Sequence, residues 1–86
     1  MISLLDCIEY LRLTPDEVDA IAEHEHVSPI VATELASYLV ESPSGERMIR
    51  KMILDDIMHA SAAGQDERVL HLTTVLKHFV ATHPAL

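Results

Sequence analysis

Apolar residues recur along the chain at intervals of three and four positions, the repeat that places side chains on one face of an α-helix. The longest such stripe lies near the C-terminal end and consists of Val69, Leu72, Val75, Leu76, Phe79 and Val80. No segment shows the strict alternation that is typical of a half-buried strand, and no Asn-Gly or Asp-Gly pair marks a hairpin. The pattern therefore predicts an all-α protein.

Capping residues and prolines mark where the predicted helices begin. The segment Thr14-Pro15-Asp16-Glu17 combines an N-cap threonine, a proline at the first helical position and a glutamate placed to complete a capping box. Ser28-Pro29 begins a further helix in the same way, and Ser3 and Asp66 are suitable N-caps for the first and last helices.

The segment Ser42-Pro43-Ser44-Gly45 is the strongest break in the pattern. Pro43 disfavours a helical conformation at Ser42, and Ser44 is a good N-cap, so we expect the chain to turn here. Gly64 suits the position just after a helix end. The predicted helices run from Ser3 to about Leu13, from Pro15 to about His26, from Pro29 to about Glu41, from about Ser44 to Ala63, and from Asp66 to about Thr82.

These helices predict a compact bundle of about five short helices, with residues 1–86 forming one domain. At 49% apolar residues the chain can form a small core, although a chain of 86 residues buries a limited share of its surface and gains stability from association. The positions predicted to be buried are Ile8, Leu11, Ile21, Leu35, Leu39, Ile53, Leu72, Leu76 and Phe79.

Cysteine content and hydropathy bear on the compartment. The single cysteine, Cys7, excludes an internal disulfide framework and a four-cysteine zinc site. The sequence contains no run of 18 apolar residues that could span a membrane, and its first residues lack the basic segment of a secretory signal. We expect a soluble cytoplasmic protein without a membrane partner.

Charge is distributed unevenly along the chain, whose net charge is −8. Residues 1–46 contain ten acids and one base, whereas residues 47–86 contain four acids and five bases. One interpretation is a solvated acidic surface; the other is a docking surface for a basic protein partner, or for the cluster Arg47, Arg50 and Lys51 of a second copy.

The fourth predicted helix is apolar on two sides. One arc contains Met48, Ile49, Met52, Ile53 and Ala60, and a second strip, Leu54 and Met58, lies roughly opposite. A helix of this kind is either central or shared between the core and a subunit interface. The sequence favours a self-associating interaction or regulatory module, with a homodimer as the expected oligomer. The predicted interface residues are Met48, Met52, Leu54, Met58 and His59.

Two acid-x-x-His pairs make a metal-binding helical protein the main alternative. Glu23 with His26, and Asp56 with His59, have the spacing that helical di-iron sites use. With fourteen acids and six histidines such pairs arise readily by chance, so we assign no metal or other cofactor and keep these four residues as candidates. Asp56 projects from the apolar arc of its helix, where a carboxylate needs either a cationic partner or a functional reason.

Enzyme and nucleic-acid functions have weaker support. Cys7 lies in an apolar helix rather than beside an activating base, and no glycine-rich phosphate loop is present, so no catalytic residue is assigned and an enzyme is not favoured. The two short helices 14–26 and 29–41 are spaced like a helix-turn-helix. However, the segment 29–41 contains no Lys, Arg, Asn or Gln that could contact bases, so nucleic-acid binding is not expected.

Overall fold

The fold was examined in a computed structural model that describes residues 3–83. Five helices follow one another in this range, and no strand occurs among the described residues, which confirms the all-α prediction. The helices are α1 (Leu4–Tyr10), α2 (Pro15–Glu25), α3 (Pro29–Leu39), α4 (Pro43–Ala62) and α5 (Asp66–Thr82). None of them is long and apolar enough to cross a bilayer.

Four of the helices begin with the hydroxyl caps that the sequence indicates. The side chains of Ser3, Thr14, Ser28 and Ser42 each accept a hydrogen bond from the backbone N–H three residues further on. The cap of α4 is Ser42 rather than the predicted Ser44. Pro43 holds Ser42 in an extended conformation (φ −140°, ψ 152°), which is the conformation an N-cap needs, and Pro43 itself becomes the first helical residue.

Three helices end in Schellman motifs, in which one residue adopts a left-handed conformation. This residue is Gly64 after α4, as expected, but it is Arg12 after α1 (φ 60°) and His26 after α2 (φ 56°). The turn at Arg12 lets the Leu13 N–H donate to the Ile8 carbonyl at 3.0 Å. Consequently α1 ends at Tyr10 and not near Leu13, and α2 ends at Glu25.

The start of α5 also differs from the prediction. Asp66 is the first residue of the helix rather than its cap, and Gln65 precedes it without a side-chain capping bond. The carboxylate of Asp66 therefore lies in the first turn, where it interacts favourably with the positive end of the helix dipole.

One hydrophobic core joins all five helices. Six of the nine predicted core residues are buried, namely Ile8, Ile21, Leu39, Ile53, Leu72 and Phe79. The other three, Leu11, Leu35 and Leu76, are partly buried and pack against that core. Helix α4 is central, since it packs against α2, α3 and α5, whereas α1 packs against α2 and α3.

The molecule is flat, with principal extents of 41 × 29 × 18 Å. The side of α4 that points away from the core is exposed at Leu54 and Met58.

Glu17 connects the start of α2 to α5 from a fully buried position. Its Oε1 accepts a hydrogen bond from the Thr14 backbone N–H at 2.8 Å, which completes the predicted capping box. Its Oε2 lies 2.9 Å from Nδ1 of His78, on α5. The capping box thus also holds two helices together, and this second role depends on a residue 61 positions away.

His83 makes a further long-range contact just after the end of α5. Its Nε2 donates to the Leu11 carbonyl at 3.0 Å, and its ring stacks on Phe79 with centroids 4.6 Å apart. The chain after α5 is thereby attached to the end of α1. Pro84, expected to follow the last helix, lies outside the described residues.

The turn between α3 and α4 brings two backbones into close contact at Gly45. A Cβ atom added to Gly45 would lie 1.9 Å from the Leu39 carbonyl oxygen, a backbone atom that cannot rotate away. In an open helical position, replacing glycine by alanine stabilises a protein by about 1 kcal/mol. At Gly45, the overlap between an added Cβ and the Leu39 carbonyl would force α3 and α4 apart.

We therefore expect Gly45→Ala to lower the free energy of unfolding by about 1–3 kcal/mol, the usual cost of overpacking a close contact. Urea denaturation followed by circular dichroism measures the change. Ser44→Ala, at the neighbouring exposed position, is the matched control and should change stability by less than about 0.5 kcal/mol. A Gly45→Ala protein as stable as the wild type would contradict the close contact.

Candidate functional site

The side of α4 that points away from the core carries an exposed strip with apolar and basic parts. Leu54 and Met58 are 46% and 62% exposed, one turn apart, and opposite the buried Ile53. Arg47 and Lys51 extend the same strip toward the start of the helix, and both are exposed. We call these four residues, Arg47, Lys51, Leu54 and Met58, the outer face of α4.

The other predicted interface residues fall into two groups. Met48 is 52% exposed and His59 is exposed, and both lie beside the outer face. Met52 is instead buried in the core, with 8% of its surface exposed. Four residues correspond to about 400° of helical rotation, so Met52 is turned about 40° from Met48, toward the core. Met52 is therefore a core residue and is not part of the exposed strip.

A groove runs between α1 and α3. It has a volume of about 700 Å³ and is lined by Asp6, Cys7, Tyr10, Leu11, Thr33, Glu34 and Ser37. Tyr10 is 88% exposed and Cys7 is exposed, so the groove is open to solvent. The two charged side chains in its lining, Asp6 and Glu34, are both acidic. We call this the α1–α3 groove; the sequence pattern did not predict it, because it forms between helices rather than along one.

A smaller cavity of about 240 Å³ lies between α2 and α5. In its lining Arg68 forms an ion pair with Glu23, and His71 Nε2 lies 3.9 Å from an Asp16 carboxylate oxygen; Asp19 is a further acidic residue of the lining. These pairs make the cavity a polar crevice bridged by opposite charges.

The four candidate metal ligands have different surroundings in the fold. Glu23 is paired with Arg68, and His26 is exposed in the left-handed position that ends α2. Asp56 is buried on α4, whereas His59 is exposed. Across residues 3–83, no group of three or more His, Cys, Asp or Glu side chains is placed to hold a metal ion. The two acid-x-x-His pairs are therefore features of sequence spacing that this fold does not assemble into a larger ligand set.

A titratable cluster that sequence spacing did not predict joins the end of α2 to the middle of α4. His24 Nδ1 lies 2.9 Å from Glu25 Oε2, and His24 Nε2 lies 3.3 Å from Asp55 Oδ2. Both ring nitrogens can donate to these carboxylates only in the imidazolium form. Burial opposes that charge, but the two hydrogen bonds and the charge of Asp56 outweigh it and raise the pKa of His24 above 6.5.

Asp56 lies next to this pair without a complete set of partners. Its Oδ2 atom is buried and has no hydrogen-bond partner. Burial, with the charge of Glu23 added, raises the pKa of Asp56 above 3.8, although His24, Arg68 and His59 act in the opposite direction. The expectation that Asp56 pairs with a cation is thus met only by longer-range attraction. We call His24, Glu25, Asp55 and Asp56 the His24 cluster.

The raised pKa values give stability a definite pH dependence. Because the pKa of Asp56 is raised by folding, the folded state binds more protons, and stability falls as pH rises from about 3.8 through the folded value. The stabilisation from protonated His24 is present below pH 6.5 and is lost as pH rises through its raised pKa. Both residues therefore make the fold more stable at mildly acidic pH than above neutrality.

We expect Asp56→Asn to raise the free energy of unfolding at pH 7 by about 1 kcal/mol, since it removes a buried charge with an unsatisfied oxygen. The gain should shrink as pH falls through the raised folded pKa of Asp56 and vanish below pH 3.8, where the wild-type carboxyl is protonated in both states. Thermal unfolding of both proteins from about pH 3 to about pH 8 gives the comparison.

Asp55→Asn is the matched control for this substitution. Asp55 is half-exposed, lies next to Asp56 in the sequence, and has its Oδ2 3.3 Å from Nε2 of His24. Removing its charge should leave the free energy of unfolding at pH 7 unchanged or slightly lower. Loss of stability in Asp56→Asn at pH 7, or a gain equal at all pH values, would contradict the assigned role of Asp56.

Helices α2 and α3 are consecutive and packed together, as a helix-turn-helix requires. The exposed residues of α3 are, however, apolar, aromatic or acidic, and include Ile30, Val31, Glu34 and Tyr38. A surface of this kind has no cation to neutralise phosphates. That this pair does not recognise nucleic acid stays a prediction.

Comparison with known proteins found no significant match, whether to a family model, a curated protein sequence or a solved structure. The exposed surfaces described above therefore carry the functional argument.

Proposed function

We propose that this protein is a non-enzymatic interaction module that associates with a second copy of itself, and that the outer face of α4 forms part of the contact. The observation that carries the proposal is the exposure of Leu54 and Met58 on α4, a helix that packs against three others. The apolar positions of such a helix are usually covered by its neighbours. Here Leu54 and Met58 remain 46% and 62% exposed.

The energetics favour covering these two side chains. Burying a leucine or methionine side chain that is otherwise exposed is worth about 1.5–3 kcal/mol. A small domain can bury only part of its apolar surface within one chain, so a second copy is an economical source of further contacts. Leu54 and Met58, one turn apart, form the short apolar ridge that helix–helix contacts use.

The flanking residues suit an interface. Met48 is exposed beside the outer face, and methionine side chains adapt readily to partner surfaces. Arg47 and Lys51 place positive charge at one end of the apolar ridge, in a protein whose net charge is −8. Charge at the edge of an apolar contact sets orientation and partner choice. This arrangement favours an acidic surface as the counterpart.

The metal-binding and helix-turn-helix alternatives are not favoured by a specific observation. Glu23 is held by Arg68, and α3 exposes no basic side chain.

We expect Leu54→Glu and Met58→Glu each to shift self-association at micromolar concentration toward the monomer, because each places a charge within the apolar ridge. Light scattering should give a mass of at least two chains for the wild type and a lower mass for both variants. Circular dichroism should show unchanged helicity, since both positions are exposed.

Leu70→Glu provides the matched control, because Leu70 is 70% exposed on α5 and lies outside the outer face of α4. It should leave the mass unchanged. A wild type that remains monomeric at high concentration, or a Leu70→Glu effect as large as that of Leu54→Glu, would overturn the proposal.

A further inference from the structure

Two exposed surfaces of this protein have complementary properties. The outer face of α4 is apolar and basic, and the α1–α3 groove is open and bordered by acidic side chains. We infer that the α1–α3 groove of one copy accepts the outer face of α4 of a second copy. This inference rests on the proposed self-association and names the surface that receives α4.

Charge is the first argument for this pairing. Asp6 and Glu34 are the charged residues in the lining of the groove, and Arg47 and Lys51 are those on the outer face of α4. The outer face of α4 contains no carboxylate, so two outer faces in contact offer no acidic partner to Lys51. The groove of a second copy offers Asp6 and Glu34.

Shape is the second argument. The groove volume of about 700 Å³ falls in the range that encloses compact apolar groups, roughly 300–1,000 Å³. Leu54 and Met58 lie about 6 Å apart along α4, and the seven residues of α1 form a wall about 10 Å long. Both side chains of the ridge can therefore lie within the length of one groove, against Cys7, Tyr10 and Leu11.

Symmetry is the third consideration. The groove and the outer face of α4 are different surfaces, so a single contact would leave one of each uncovered. A contact between two different surfaces closes only when a rotation returns to the first copy, and the smallest closed assembly is a two-fold dimer in which both grooves receive both helices. The inference expects this dimer, with two equivalent contacts.

Paired charge reversals test the assignment. Glu34→Lys and Lys51→Glu should each raise the dissociation constant about five-fold or more, because each creates a repulsive pair in the contact. The double variant Glu34→Lys with Lys51→Glu exchanges the two charges and should return the dissociation constant to within about two-fold of the wild type. Sedimentation equilibrium of all four proteins gives these values.

The matched controls are Glu67→Lys and Lys77→Glu, both at exposed positions on α5. Glu67→Lys changes the net charge from −8 to −6, the same change as Glu34→Lys, so it reports the general effect of charge on association. Lower net charge weakens self-repulsion, and Glu67→Lys should therefore leave association unchanged or slightly strengthen it. Glu34→Lys should have the opposite sign.

Cys7 provides an independent readout because it is the single cysteine of the chain and lines the groove. Its rate of alkylation by iodoacetamide should fall as protein concentration rises through the dissociation constant. In the Leu54→Glu protein the rate should stay high over the same concentrations.

The outcomes separate this inference from the proposed function. In one outcome the wild type associates and the Leu54→Glu substitution weakens this association, while Glu34→Lys behaves like Glu67→Lys and Cys7 stays reactive. In that case α4 contacts another surface, and the groove assignment is overturned. A monomeric wild type overturns both. Reciprocal rescue by the double variant, together with concentration-dependent protection of Cys7, establishes the groove as the receiving surface.

Discussion

The structure depends on α4, a helix that is apolar on two sides. The chain covers one of these sides with its other helices and leaves the second exposed. Ile49 and Ile53 lie in the core on the inner side, where α4 packs against α2, α3 and α5, and neither is exposed to solvent. Leu54 and Met58 lie on the opposite side of the helix and are exposed. The same helix thus organises the core and presents the surface through which we propose that the protein associates.

Polar contacts between distant segments fix how the other helices are arranged around α4. Glu17 and His78 hold the start of α2 to α5, and His24 and Asp55 hold its end to α4. Both contacts pair an imidazole with a carboxylate. The raised pKa of His24 means that its contact with Asp55 is strongest when the imidazole is protonated and weakens as pH rises through that pKa.

The starts of α1, α2 and α3 were readable from the sequence because they depend on adjacent residues, as the cap at Thr14 and its capping box demonstrate. The end of α1 and the left-handed conformations of Arg12 and His26 were not, since such conformations at residues other than glycine leave little local signal. The outer strip of α4 followed from periodicity alone. The His24 contact with Asp55 spans 31 residues, and the α1–α3 groove depends on how two helices pack, so neither was accessible before the fold was known.

The most direct test of the central claim is the mass of the wild-type protein in solution as a function of concentration. One chain has a mass of 9.6 kDa. If the outer face of α4 is covered by a second copy, sedimentation equilibrium at pH 7 should show the mass rising from this value to about twice it as concentration increases through the micromolar range. A mass that stays at that of one chain up to millimolar concentration would contradict the account.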